Sequence, residues 1–188
     1  MRLTLLLALL ALCAPADARE AYGVRMPDTV SFEGRQLKLN GMGLRRKKIL
    51  FASVKVYVAG FYVESPSKNP IDLINSDEGK RVTMFMLRDL SKEQIAEALR
   101  DGFEKNCKAQ MPVLKDRLEK LIALIPDAKK GSTIVVSYAP GLGTVLASPG
   151  DRQVIPGKDF ADALFSVWLG REPVDADLKV ELLGTDHA

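Results

Sequence analysis

Arg45 and Tyr57 stand twelve residues apart and together carry the chemistry of an anion-binding fork. A guanidinium presents a planar set of donors that matches a carboxylate, and a phenol adds one more. Arg45 closes a strand-like stretch that begins near Gln36. Tyr57 lies on the mixed face of a long β-branched and aromatic run, residues 49–64 (ILFASVKVYVAGFYVE). If the two stretches pair antiparallel through a turn near residues 46–50, both side chains point into one cleft. An arginine facing inward needs an anion, because an unpaired buried charge is costly. Arg46, Lys47 and Lys48 read instead as a solvated hairpin turn. Pattern alone leaves the fork open against a wholly solvated basic cluster.

Other chemistries fall away on counting. The only histidine is His187, next to the C-terminus, so a Ser-His-Asp or Cys-His nucleophile system has no imidazole to use. A zinc site lacks ligands at close spacing for the same reason. Twenty-seven Lys and Arg against 24 Asp and Glu give a formal charge of +3, too balanced for a nucleic-acid partner. Gly41-Met42-Gly43 and Gly141-Leu142-Gly143 lack the third glycine of a dinucleotide loop and read as turn or bulge glycines. No cofactor and no metal are implied. Met84 and Met86 share a face with Val82, and Phe160, Leu164, Val167 and Trp168 form an apolar stripe; both read as core.

The elements that must position the fork follow from periodicity and punctuation. Residues 24–32 and 36–44 read as strands joined by a turn at Glu33-Gly34. The run 49–64 is long for one strand, which predicts a bulge near Ala59-Gly60. Its even positions 50–58 are uniformly apolar and are assigned to the core face; its odd positions are assigned to the cleft. A short helix spans 71–75 and a strand 81–88. Ser91 and Gln94 form a capping box that opens a helix to about Lys105. Pro112 suits the first turn of the next helix, to about Leu124. A strand at 132–138 and a hairpin of 141–147 with 151–155, turning at 148–150, come next. A helix over 158–169 ends at Gly170, and Asp175 caps a last helix to Leu183. Strands then helices, without regular alternation, give an α+β class with a mostly antiparallel sheet.

Residues 1–18 (MRLTLLLALLALCAPADA) have the three-part layout of a secretory signal: Arg2, a largely apolar run from Leu3 to Leu12, and a small-residue site at Ala16-Asp17-Ala18. The run is half the roughly 20 residues that span a bilayer. The expectation is cleavage after Ala18, export to a bacterial periplasm, and one domain over residues 19–188 with no membrane span. Export removes Cys13 and leaves Cys107 without a disulfide partner, so a buried thiol is expected.

Residues 39–64 (LNGMGLRRKKILFASVKVYVAGFYVE) and 160–184 (FADALFSVWLGREPVDADLKVELLG) resemble the chalcone isomerase-like family. The first block resembles the plant enzymes' G-x-G-x-R stretch and the K-F-T-A-I-G-V-Y-L-E strand after it; the second keeps the glycine, the proline spacing and the Asp-Leu-Lys run. The likeness extends over roughly residues 22–184. It implies an open-faced β-sandwich, a large antiparallel sheet under a helical layer with a ligand cleft between. It also implies two functions. Plant chalcone isomerases close a chalcone to a flavanone by orientation and charge stabilisation, without histidine. Related non-enzymatic members hold a fatty acid by an arginine and a strand tyrosine.

Arg45 falls on the family's arginine. Tyr57 falls where the isomerases have a catalytic threonine and the fatty-acid binders a tyrosine. Val167, beside Ser166, takes the place of an isomerase threonine or serine, and Asn106 is a loose match to the isomerases' asparagine. The resemblance therefore implies ligand-binding residues Arg45 and Tyr57 and no catalytic set. The expected protein is an exported, non-catalytic binder of a fatty acid or similar apolar carboxylate. The alternative is an isomerase acting on a chalcone or other small enone, and a third possibility is a structural envelope protein with a closed cleft.

Overall fold

The computed structural model describes residues 17–49, 51–148 and 151–185. Residues 1–16 of the expected signal, Leu50, Pro149-Gly150 of the expected turn and His187 lie outside the described residues. A short hairpin, β1 (Ala18–Ala21) with β2 (Val24–Pro27), precedes a seven-stranded antiparallel sheet. Spatial order in that sheet follows the chain: β3 (Thr29–Phe32), β4 (Arg35–Ile49), β5 (Ala52–Val63), β6 (Lys80–Met86), β7 (Thr133–Ala139), β8 (Gly143–Ser148) and β9 (Asp151–Ile155). The helices are α1 (Pro70–Asn75), α2 (Lys92–Cys107), α3 (Met111–Leu124), α4 (Lys158–Leu169) and α5 (Ala176–Leu182). The result is the α+β open-faced sandwich expected from the sequence.

Three local readings change. The stretch 24–32 is two strands in different sheets, broken at Asp28, whose carbonyl accepts from the Leu39 amide at 2.8 Å. β4 runs to Ile49, so Arg46, Lys47 and Lys48 belong to a strand rather than a turn. β5 buries both faces rather than one: Tyr57, Ala59, Phe61 and Val63 of the odd face, expected at the cleft alone, also pack under the helices. On the even face Val58 is core, as expected, packing with Val24, Met26, Met42 and Leu44 beneath the β1–β2 hairpin. Both faces are covered, so alternation of hydrophobicity fades over the strand's second half.

The capping box is present: the Ser91 amide donates to Gln94 Oε1 at 3.0 Å, and the Gln94 amide to Ser91 Oγ at 3.3 Å. Cys107 is buried, as expected. α4 is buried on all sides, with Phe160, Ala161 and residues 163–169 sequestered, as an all-round apolar helix must be. It lies between the sheet and α2. Gly102 of α2 permits that approach, since a Cβ there would come within 2.8 Å of Val167.

α5 shields an exposed sheet edge. β3 covers only residues 35–38 of β4, leaving the amides beyond without a strand partner. Leu44 N donates to Glu181 Oε2 at 2.5 Å and Arg46 N to Asp175 Oδ2 at 2.8 Å, both from the α5 region. Gly41 and Gly43 make this possible: a Cβ on either would fall 2.2–2.4 Å from Glu181 atoms. They are close-approach glycines, and the bulge beside them falls at Asn40.

A buried lysine closes the far part of the helix-covered face. Lys80 is 1% exposed, and its Nζ donates to the carbonyls of Leu73, Ile74 and Ser76 at 2.8, 2.8 and 2.9 Å. Those are the free carbonyls at the C-terminal end of α1. Burial lowers its pKa to about 8, although Asp162 pulls the other way.

Candidate functional site

The register at the tip of the β4–β5 hairpin pairs Arg46 with Lys55, and continuing it would set Arg45 opposite Val56. Instead β5 bulges there and Arg45 pairs with Tyr57. Directly opposed residues of an antiparallel pair share a face, so this single bulge carries Tyr57 to the side of Arg45. The bulge expected near Ala59-Gly60 is absent; it falls three residues earlier, where it aligns the two side chains.

Both residues line a cavity between sheet and helices. Its space open to the centre of a water-sized sphere is about 150 Å3, against the roughly 10–15 Å3 that one water needs. Val56, Met84 and Met86 contribute from the sheet, Leu99 and Leu121 from α2 and α3, and Leu164 and Val167 from α4. The methionines and the α4 stripe expected as core therefore do double duty. The charged lining consists of Arg45, Lys47 and Arg88, with no carboxylate among the lining residues. Lys47 and Arg88 make no ion pair among the described residues, and each escaped the sequence reading: Lys47 as part of a turn, Arg88 as a strand end. Arg45 and Lys47 also border a second, polar cavity of about 260 Å3 that includes Glu97, Asp101, Lys105 and Glu172. The two cations mark the boundary between an apolar chamber and a polar one.

Arg45 is held by its own chain. Its Nη1 donates to the Arg46 carbonyl and lies 3.6 Å from Asp175 Oδ2, with the side chain 14% exposed. Asp175 Oδ1 accepts from the amides of Asp177 and Leu178 at 3.0 and 3.2 Å, which caps α5. The carboxylate read only as a helix cap thus also balances part of the arginine charge and fixes its orientation. The guanidinium also interacts with the Tyr57 hydroxyl, so the two groups of the fork are in mutual contact.

Tyr57 is buried, and its hydroxyl accepts a hydrogen bond from Trp168 Nε1 at 2.9 Å. Burial pushes its pKa up, against the opposing pull of Arg45 and of the Trp168 bond. An indole N–H can only donate, so the phenol keeps its own proton to donate onward. Trp168 is the positioning group that sequence reading left in the core.

The other carried-over positions separate. Val167 faces the cavity, offering only methyl groups where the isomerases would have a hydroxyl. Ser166 turns away, donating to the Ala163 carbonyl at 2.6 Å and lying 3.5 Å from Cys107 Sγ. Asn106 does not line the chamber; it braces the chain after α4, donating to Gly102 O and Glu172 O and accepting from Glu172 N. The described residues contain no cluster able to hold a metal ion.

A seven-stranded antiparallel sheet under a helical layer, enclosing an apolar chamber with a cationic border, defines the class: an open-faced β-sandwich with an internal cavity. The family described as chalcone isomerase-like matches residues 18–184, and the chain belongs to it. Among solved structures it is similar to a fatty-acid binding protein of Arabidopsis thaliana, with a TM-score of 0.73 and 17% identity, covering 90% of this chain and 97% of that one. At that identity the likeness establishes the shared fold. No curated protein matches the chain.

Proposed function

We propose that the protein is an exported, non-catalytic carrier of a fatty acid or similar apolar carboxylate. The observation that carries this reading is the chamber's composition: apolar walls, a charged lining made only of cations, and the Arg45–Tyr57 pair at its polar end. A carboxylate placed there pairs with the Arg45 guanidinium and accepts the phenol proton of Tyr57. The acyl chain lies along Met84, Met86, Leu99 and Leu164. The fatty-acid binding named for the Arabidopsis neighbour supports the reading, as does tyrosine rather than threonine at position 57. Export rests on the layout of residues 1–18.

Organic extraction of the purified protein followed by mass spectrometry tests this directly. A stoichiometric acyl carboxylate is expected in the extract, with saturable rebinding after delipidation. An empty extract together with no acyl binding in titration would overturn the proposal. Incubation with chalcone tests the isomerase alternative. Decay of the chalcone absorbance that Arg45→Ala abolishes would favour an enzyme; a flat trace is expected.

A further inference from the structure

The chamber's boundary lies at the root of an unusual projection. β6 pairs with β5 only as far as Tyr57, and β3 reaches only Lys38 of β4. Residues 46–49 and 52–55 therefore extend beyond their neighbouring strands as a two-stranded ribbon, and the α5 region touches its base through Arg46. In sequence, residues 46–55 read RKKILFASVK, four cations and no carboxylate. Arg46 lies 3.9 Å from Glu181, whereas Lys47, Lys48 and Lys55 make no ion pair among the described residues. At the far end Phe51 is 106% exposed, the most exposed large apolar side chain described. Single exposed apolar residues such as Ile71 or Val113 need no explanation. An aromatic side chain exposed at the tip of a projecting ribbon whose strands carry three lysines without ion pairs is a different arrangement.

We infer that the tip of this ribbon docks on a lipid bilayer bearing anionic headgroups, with the Phe51 ring entering the interface and Lys47, Lys48 and Lys55 contacting the lipid charges. Aromatic rings favour the headgroup level, and lysines near an anionic leaflet each add roughly fivefold to association. One aromatic and three lysines give the weak, reversible attachment of a peripheral protein rather than an anchor. No helix among the described residues is long and apolar enough to cross the membrane. Lys47 ties the tip to the chamber, being an exposed residue of both cavity linings. Docking through the ribbon therefore sets the polar end of the chamber toward the bilayer. The inference stands on the ribbon's shape and charge, independently of what the chamber holds.

Flotation with vesicles of phosphatidylcholine alone, or with about one third phosphatidylglycerol, tests it. The wild-type chain is expected to float with the anionic vesicles, to detach as salt screens the lysines, and to ignore neutral ones. Phe51→Ser is expected to weaken association about tenfold, and Lys48→Ser with Lys55→Ser roughly 25-fold. All three positions are exposed and outside the chamber lining, so thermal unfolding and acyl titration should match wild type. Phe51→Trp adds a second reporter to the buried Trp168; its emission should move to shorter wavelength on anionic vesicles only. Equal flotation with neutral vesicles, no flotation at all, or full flotation by Phe51→Ser would each overturn the inference. So would a wild-type dimer that Phe51→Ser makes monomeric while flotation is unchanged, because the tip would then serve a second copy. Loss of flotation with acyl binding intact counts against the ribbon alone, and the reverse counts against the carrier reading alone.

Discussion

Two cations sit on the same sheet face under the same helix and meet opposite fates. Lys80 lies beneath Phe165 of α4, 5.8 Å from its ring centroid, and all its donors are engaged by three backbone carbonyls. Arg45 lies near Trp168, one turn further along α4, with Tyr57 between them. Its single close carboxylate, Asp175, stands at 3.6 Å and is shared with three backbone amides. Lys80 is closed off by its own chain, as a buried charge requires; Arg45, on the carrier reading, is oriented by Asp175 to meet a ligand. Stability should therefore depend on Lys80 and affinity on Arg45.

The largest expected effect is on the closed site. Lys80→Ala removes the donor to three carbonyls and leaves a void under Phe165, which should cost about 4 kcal/mol of unfolding free energy. Denaturant unfolding measures it. Acyl affinity of the remaining folded protein should be unchanged. A variant as stable as wild type would show that the lysine's desolvation cancels its bonds, and the comparison would fail.

The same residue predicts a pH dependence of known sign. Burial lowers the Lys80 pKa to about 8 from an ordinary value of 10.5, so between those values the unfolded chain binds more protons than the folded one. Stability should then rise from pH 8 to 10, by on the order of 2 kcal/mol. Above pH 10 it should fall. Tyr57, Tyr62 and Tyr138, whose pKa values burial raises, stay protonated in the folded state while the unfolded chain ionises. Unfolding free energies across pH 7–11 check the shape, and Lys80→Ala should lose the rise while keeping the fall.

How far such contrasts were readable beforehand depended on whether local rules sufficed. The Ser91–Gln94 box, the Asp175 cap and the α+β order follow from nearest-neighbour chemistry and were readable. The Arg45–Tyr57 pair was readable as a possibility, because period two and a hairpin bring the two stretches together. What brings the residues face to face is a bulge at Val56, and nothing in Val56 itself announces one. Arg88, Lys47 and Trp168 were missed for a related reason. Each becomes part of the chamber through the packing of α2 and α4 on the sheet, which no local pattern encodes. The even face of β5 was rightly given core residues such as Val58, but that the odd face is buried as well was missed, because the helices and the β1–β2 hairpin cover one face each.

On the open site, Arg45→Ala should weaken acyl binding about 30-fold, the loss of a charge-assisted pair worth about 2 kcal/mol. It should lower stability by less than about 1 kcal/mol, since Asp175 keeps its backbone partners. Titration with a fluorescent fatty acid, alongside denaturant unfolding, gives both numbers. A large stability loss with little change in affinity would make Arg45 a second Lys80 and dissolve the contrast.

The smallest effect sharpens the contrast most, because Tyr57 belongs partly to each kind of site. Its oxygen is used by the structure, accepting from Trp168, while its proton remains for a ligand. Tyr57→Phe removes both at once. The ligand loses one neutral donor, about 1 kcal/mol or fivefold in affinity, and the buried indole N–H loses its acceptor, costing another 1–2 kcal/mol of stability. Trp168→Phe separates the two. It removes the indole N–H and leaves the phenol able to donate, so affinity should hold close to wild type. If Trp168→Phe weakens binding as much as Tyr57→Phe, the tyrosine acts by packing and orientation, and Arg45 alone holds the carboxylate.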